Sequence, residues 1–368
     1  MTAPRVWILL LSAVGLVGQI PDRPTPNAAF QVDDNDPALP GLICRMAMFA
    51  QQSADMPGAE KLVRHGLTLF VRNNSLESTA GAACLTTFAG LLEARGHEDD
   101  AQEQLEHALA IREQLLGRDH FLVADTLVRL GLAHSRQGHL QEAEVMQTRA
   151  MNILRSQEPT TELAAALNNL GSIMSAQDRW KEAEERIREA VSIWERLEGP
   201  DGPSLAAGLL NLGVLLEERK RYDEATPVIA RARRIDEKAF PANHPRIAMD
   251  LNAAGVLATA RKSYREAEEL LTRSAKILEG SQSPQRAETG QVLLNLAEAY
   301  RLQKKMDLAR DTYRRGLAAV TSAWGPNDVR LPQWMEKLAA VLRVEEDYAG
   351  AEDLEIRATR IRVLHGIR

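Results

Sequence analysis

The sequence contains few of the residues, and none of the motifs, on which catalysis and metal binding usually depend. Aromatic residues make up 4% of the 368 residues, and there are two cysteines and eight histidines. No His-Glu-x-x-His spacing, Gly-x-Ser-x-Gly, phosphate-binding loop or dinucleotide-binding glycine pattern occurs. We therefore expect a protein that is not an enzyme and that binds neither a metal nor a cofactor.

Concentrated positive charge is also missing. The net charge is −6, from 45 basic and 51 acidic residues spread along the chain, and no run of Lys and Arg provides the basic surface that nucleic acids need. We expect no nucleic-acid partner.

Long apolar runs are absent except at the N-terminus. Arg5 is followed by an apolar stretch from Val6 to Val17, the pattern of a secretory signal and too short for a confident membrane span. We predict a signal peptide or uncleaved membrane anchor over 1–18, and a disordered linker rich in Pro and Asp over 19–40. The expected location is periplasmic or secreted; a chance apolar run would leave the protein cytoplasmic.

The two cysteines, Cys44 and Cys84, occupy nearby but non-equivalent places in successive repeats of the pattern described next. A disulfide between them requires Cα atoms within about 7 Å. We expect two buried thiols, with the disulfide as the open alternative.

A repeated alanine is the strongest positive signal. It recurs with gaps of 42, 42, 40, 42, 42, 42 and 42 residues, a period typical of stacked supersecondary units. The eight positions are Ala59, Ala101, Ala143, Ala183, Ala225, Ala267, Ala309 and Ala351.

Each recurring alanine belongs to a longer pattern. A small residue precedes it by twelve, a branched or long apolar residue stands four before that, and another small residue follows the alanine by seven. Spacings of three, four and seven indicate the face of a helix, so each unit contains two amphipathic helices, and the fold class is all-α. The small first-helix residues include Gly131, Gly171, Gly213 and Gly255.

Several stretches resemble the tetratricopeptide repeat, in particular the 42-residue type of kinesin light chains. They include Leu167-Asn-Asn-Leu-Gly171 and Tyr264-Arg-Glu-Ala-Glu268. The resemblance implies a right-handed superhelical solenoid of about eight helix-turn-helix repeats over 41–366. The predicted units lie near 41–78, 79–120, 121–158, 160–200, 203–243, 245–284, 287–327 and 329–366.

The resemblance also implies a binding surface. First helices line the concave side of such an array, and asparagines there commonly bind the backbone of an extended peptide. The candidate groove residues are Arg129, Asn168, Asn169, Asn211, Asn252, Asn295, Arg136 and Arg301. The alternative is that the asparagines form hydrogen bonds between neighbouring repeats.

These observations predict a non-enzymatic scaffold that binds a protein or peptide partner in the groove. A self-assembling structural array, or a regulatory subunit of a larger complex, is the alternative. His120 and His244 lie in inter-repeat junctions, where we expect loop hydrogen bonding and no ligand.

Overall fold

A computed structural model describes residues 36–52, 55–156, 158–281 and 286–366 of the chain, and all regular structure in these ranges is helical. The predicted all-α class is confirmed. The segment 1–18, predicted to be a signal or anchor, lies outside the described residues. The first helix begins inside the predicted linker. The helices are α1 (Leu39–Gln52), α2 (Met56–Arg72), α3 (Thr79–Glu93), α4 (Glu98–Leu116), α5 (Phe121–Arg136), α6 (Leu140–Arg155), α7 (Thr161–Ala176), α8 (Trp180–Glu198), α9 (Pro203–Glu218), α10 (Tyr222–Ala239), α11 (Pro245–Ala260), α12 (Tyr264–Glu279), α13 (Arg286–Leu302), α14 (Met306–Trp324), α15 (Pro332–Val344) and α16 (Tyr348–Leu364).

Odd-numbered helices are the first helices of the repeats, and even-numbered helices are the second. Each first helix packs on its own second helix, and the consecutive first helices α9, α11, α13 and α15 also pack on one another. The described residues fall into two compact units, an N-terminal unit up to Leu197 and a C-terminal unit from Glu198.

The two helices of a repeat approach closely at the small residues of the pattern. A Cβ atom added to Gly171 would lie 2.6 Å from Ile187 Cγ1 and 3.0 Å from the backbone oxygen of Ala183. The eight recurring alanines are all fully buried. The periodicity therefore reflects a packing requirement, because a larger side chain would separate the helices.

Each described turn between the two helices of a repeat contains one residue in the left-handed conformation. It stands five positions before the recurring alanine and has φ between 59° and 84°. A residue without Cβ adopts this conformation most readily, yet glycine fills the position in only two repeats. The seven residues are Gly96, Gly138, Asp178, Lys220, Lys262, Lys304 and Glu346.

The junctions between repeats are closed by side-chain caps. The Nδ1 atoms of His120 and His244 each accept a hydrogen bond from a backbone N–H two residues on, both at 3.2 Å. Thr160 caps α7 in the same way through its hydroxyl oxygen. These contacts satisfy donors that the first turn of a helix leaves unpaired.

The expectation of two free thiols is wrong. Cys44 of α1 and Cys84 of α3 form a disulfide with their Cα atoms 5.3 Å apart. The helices α1 and α3 pack directly against each other, and this brings non-equivalent register positions within bonding range.

Candidate interaction surface

The candidate asparagines are buried. Asn168, Asn169, Asn211 and Asn252 are at most 3% exposed, and Asn295 is 7% exposed. These side chains present almost no surface to a ligand in this conformation.

One pair of asparagines bonds across adjacent repeats. Asn295 Nδ2 donates to Asn252 Oδ1 at 2.9 Å, which joins α13 to α11. Gln291 donates more weakly to Asn295 Oδ1, at 3.4 Å. Hydrogen bonding between neighbouring repeats, the alternative role of the asparagines, is thus observed at this pair. Binding of an extended peptide by the asparagines stays a prediction.

The first helix α9 has no exposed stripe along most of its length. All twelve residues from Leu205 to Leu216 are buried, although an amphipathic helix beside an open groove would expose one face. Accessible residues lie only at its two ends, in the first turn at Pro203 and Ser204 and in the last turn at Glu217 and Glu218. The C-terminal turn of α9 is therefore one place at which a partner could make contact.

A polar residue occupies the same position of that last turn in all eight repeats, four residues after the small residue of the first helix. This regularity escaped the sequence analysis, although the fixed spacing was available as a signal. The residues are Gln51, Glu93, Ser135, Ser175, Glu217, Thr259, Arg301 and Arg343. We name the four members in the C-terminal unit, from Glu217 to Arg343, the polar line.

Glu217 is the acidic end of the polar line. Burial raises the pKa of its carboxyl to about 7, and no cation among the described residues pairs with it. Burial of Tyr222, together with the negative charge of Glu217, raises the pKa of that tyrosine as well. An unneutralised carboxyl of this kind favours a cation supplied by a ligand.

Arg301 lies further along the line, in a charged cluster. It donates to both carboxylate oxygens of Glu298, at 2.8 and 2.9 Å. The hydroxyl of Tyr313 donates to Glu298 at 2.5 Å, and Lys337 lies 3.4 Å from the same carboxylate.

The cluster shifts the titration of its members. Burial alone would raise the pKa of Glu298, but Arg301, Lys337 and Tyr313 outweigh it and lower the pKa to about 2. Burial lowers the pKa of Lys337 and raises that of Tyr313 well above its usual value. Perturbed groups cluster at functional sites and in structural ion networks alike. Here every charge has an internal partner.

The other candidate arginines are also paired. Arg129 lies 3.7 Å from Asp125, and Arg136 contacts Glu93 at 2.5 Å and Glu98 at 3.4 Å. Both arginines are half-buried in the N-terminal unit.

The described part of the chain contains no group of three or more potential metal-ligating side chains. Within the same ranges, no helix combines the length and apolar character that a membrane crossing requires.

Comparison with known proteins identifies the repeat. A family model described as Tetratricopeptide repeat matches residues 82–156, 162–238, 207–280 and 245–322. No curated protein matches the sequence.

Solved structures share the helical repeat architecture. The apo form of the quorum sensor NprR from B. thuringiensis is 11% identical, with 90% of this chain and 88% of that chain covered and a TM-score of 0.64. The apo form of RapI is 13% identical, with coverages of 77% and 97% and a TM-score of 0.57. The kinesin light chain TPR-like repeats of Podosopora anserina are 21% identical, with coverages of 56% and 99% and a TM-score of 0.45.

Proposed function

Because this chain belongs to the tetratricopeptide repeat family, we propose that it is a non-catalytic scaffold that binds a protein or peptide segment along the polar line. Repeats of this family generally serve protein–protein interaction. The observation that supports the site is the unpaired, half-buried carboxyl of Glu217 beside accessible helix ends.

The proposed partner segment presents a lysine, an arginine or an N-terminal ammonium group to Glu217. The partner's cation would replace the missing ion pair and lower the pKa of the glutamate back toward its ordinary range. Arg301 and Arg343 are held by Glu298 and Glu355, so they offer less free charge to the partner.

A position-scanned peptide library screened against the full chain tests the site. The wild-type protein should enrich peptides with Lys or Arg at one position, and Glu217→Gln should lose this preference. Glu266→Gln removes the same charge from an exposed site on α12 of the same unit and should keep it. Equal enrichment by the wild type and Glu217→Gln would contradict the proposal.

We also propose that the protein is exported. The basic and apolar N-terminus supports this, as does the disulfide between Cys44 and Cys84, because such bonds persist mainly in oxidising compartments. Residues 1–30 fused to a reporter active only outside the cytoplasm should give activity. A silent fusion at normal expression would argue for a cytoplasmic protein.

Self-association is the second candidate function, and one surface favours it. On α1, Leu42, Met46 and Phe49 are 48%, 49% and 61% exposed. The equivalent positions in later repeats, such as Val341 in the last, are mostly buried, because a preceding repeat covers them. Exposed apolar patches often mark interaction sites. Light scattering over a concentration series should detect dimers that disappear in Leu42→Ser/Phe49→Ser, and a monomer throughout would exclude this role.

A further inference from the structure

Two aspartates face each other at the junction between the fifth and sixth repeats. Asp236 lies in the last turns of α10, and Asp250 lies in the middle of α11. Their residues are 2% and 0% exposed. Two carboxyl groups this deeply buried cannot both be ionised without strong compensation.

The hydrogen bonds around the pair provide only one cationic donor. Arg246 Nε donates to Asp236 Oδ2 at 3.0 Å, while its Nη2 donates to the backbone oxygen of Pro203 at 2.9 Å. No N–H or O–H group of the described residues donates to Asp236 Oδ1 or to either oxygen of Asp250. Three of the four carboxyl oxygens of the pair are therefore buried without a donor. Burial without a donor disfavours the ionised form of a carboxyl group.

The surrounding charges do not replace the missing cation. On α10, Arg233 pairs with Glu237 at 3.6 Å, and Glu237 is also 4.0 Å from Arg273 of α12. His244, at the start of α11, accepts a hydrogen bond through Nδ1, and burial together with Arg246 lowers its pKa. Arg246 is thus the only cation bonded to the pair within the described residues.

The titration of the pair agrees with this arrangement. Burial and the negative charge of Asp236 raise the pKa of Asp250 to about 8. Burial also raises the pKa of Asp236, against the lowering effect of Arg246.

Other junctions fill the same register differently. The position of Asp236 is taken by phenylalanine, arginine, leucine, tryptophan or valine, and the position of Asp250 by cysteine, threonine, alanine, glycine, valine or tryptophan. Arg112 Nη1 donates to Thr126 Oγ1 at 2.7 Å in one such junction. The remaining pairs are Phe70 with Cys84, Leu154 with Ala166, Trp194 with Gly208, Leu278 with Val292 and Val320 with Trp334.

We propose that Asp236 and Asp250 share one proton, and that loss of this proton loosens the contact between α10 and α11. The junction is therefore a pH-sensitive element within the array. It is closed in acidic and neutral solution and opens in mildly alkaline solution, where two negative charges repel each other in a buried site.

The direction of the effect follows from proton binding. Aspartates of the unfolded chain release their protons near pH 4, whereas the folded pair keeps one up to about pH 8. Between these values the folded state binds one more proton, so the unfolding equilibrium constant rises up to tenfold per pH unit on account of this pair. The contribution is fully favourable below pH 4 and is lost as the pH passes 8.

The test compares the full-length wild type with Asp250→Asn in urea at pH 5 to 9. Asparagine keeps a donor toward Asp236 but cannot ionise, so the stability of the variant relative to wild type should increase steadily with pH. Asp223→Asn changes an exposed carboxyl of α10 that is 99% accessible and should follow the wild type. Parallel pH curves for the wild type and Asp250→Asn would overturn the proposal.

Carbon-13 NMR of the aspartate carboxyl groups keeps the proposal testable if Asp250→Asn fails to fold. One carboxyl of the wild-type protein should remain protonated at pH 6. Hydrogen exchange of α10 and α11 should also accelerate between pH 7 and 9 beyond the intrinsic chemical increase, relative to α15. Full ionisation of all aspartates at pH 6 would refute the shared proton.

Discussion

Replacement of Gly171 by alanine measures the close approach of the two helices directly. The added Cβ atom would meet Ile187 Cγ1 at 2.6 Å, the Ala183 oxygen at 3.0 Å and the Ile187 nitrogen at 3.3 Å. Two of these three atoms belong to the backbone of α8, so no rotamer change can relieve them. Forced overpacking of this kind costs about 1–3 kcal/mol.

In a helix, alanine is more favourable than glycine by about 1 kcal/mol. The cost of overpacking must therefore be separated from this gain in helix propensity. Gly90→Ala is the matched control, because its Cβ atom would find its nearest neighbour, Gln51 Nε2, at 3.6 Å. Gly90→Ala should stabilise the protein by about 0.5–1 kcal/mol. Gly171→Ala should be less stable than this control by about 1–3 kcal/mol.

Urea denaturation followed by far-ultraviolet circular dichroism measures the difference, provided that both variants keep the wild-type m-value. Equal stabilisation by the two substitutions would refute the reasoning, because it would mean that the helices of the fourth repeat can separate without cost.

Three further predictions concern other contacts. Reduction of the Cys44–Cys84 disulfide, which closes a separation of 40 residues, should lower the unfolding free energy by about 4 kcal/mol, measured in urea with and without dithiothreitol. Asn252→Leu and Asn295→Leu should each cost about 1–3 kcal/mol by leaving a buried amide unpaired, and the double variant should cost less than their sum. If neither single variant changes the unfolding free energy, a role of these asparagines in binding an extended peptide would be favoured instead. Glu298→Gln should lower the unfolding free energy at neutral pH. In acid, the unfolding free energy of this variant should fall less with decreasing pH than that of the wild type. The folded pKa is about 2, so the stabilising charge is present above about pH 4.5 and lost as the pH falls through 2.

The repeat fold could be predicted from the sequence because close helix packing requires small residues at regular intervals. Gly171 and Ala183 recur at fixed spacing since no larger residue fits between the helices. The left-handed turn position escaped detection, because glycine, aspartate, lysine and glutamate all occupy it. Backbone geometry is constant there while residue type is not.

The candidate site was harder to predict because one residue type serves two purposes. Asparagine can bond a ligand or a neighbouring helix, and only the structure shows that Asn252 bonds Asn295. Cys44 and Cys84 occupy different registers, so their pairing depends on the actual approach of α1 and α3. Glu217 stands out only through its lack of a cation, which a sequence does not display.

The left-handed turn residues have a consequence for how the stability of the array can vary. Five of the seven possess a Cβ atom, which makes that conformation unfavourable by about 1 kcal/mol or more each. In a linear array each repeat contacts only its neighbours, and effects at distant sites add. Single substitutions at these turn residues can therefore raise or lower the heat tolerance of the protein in small independent steps, without changing the packing of the helices.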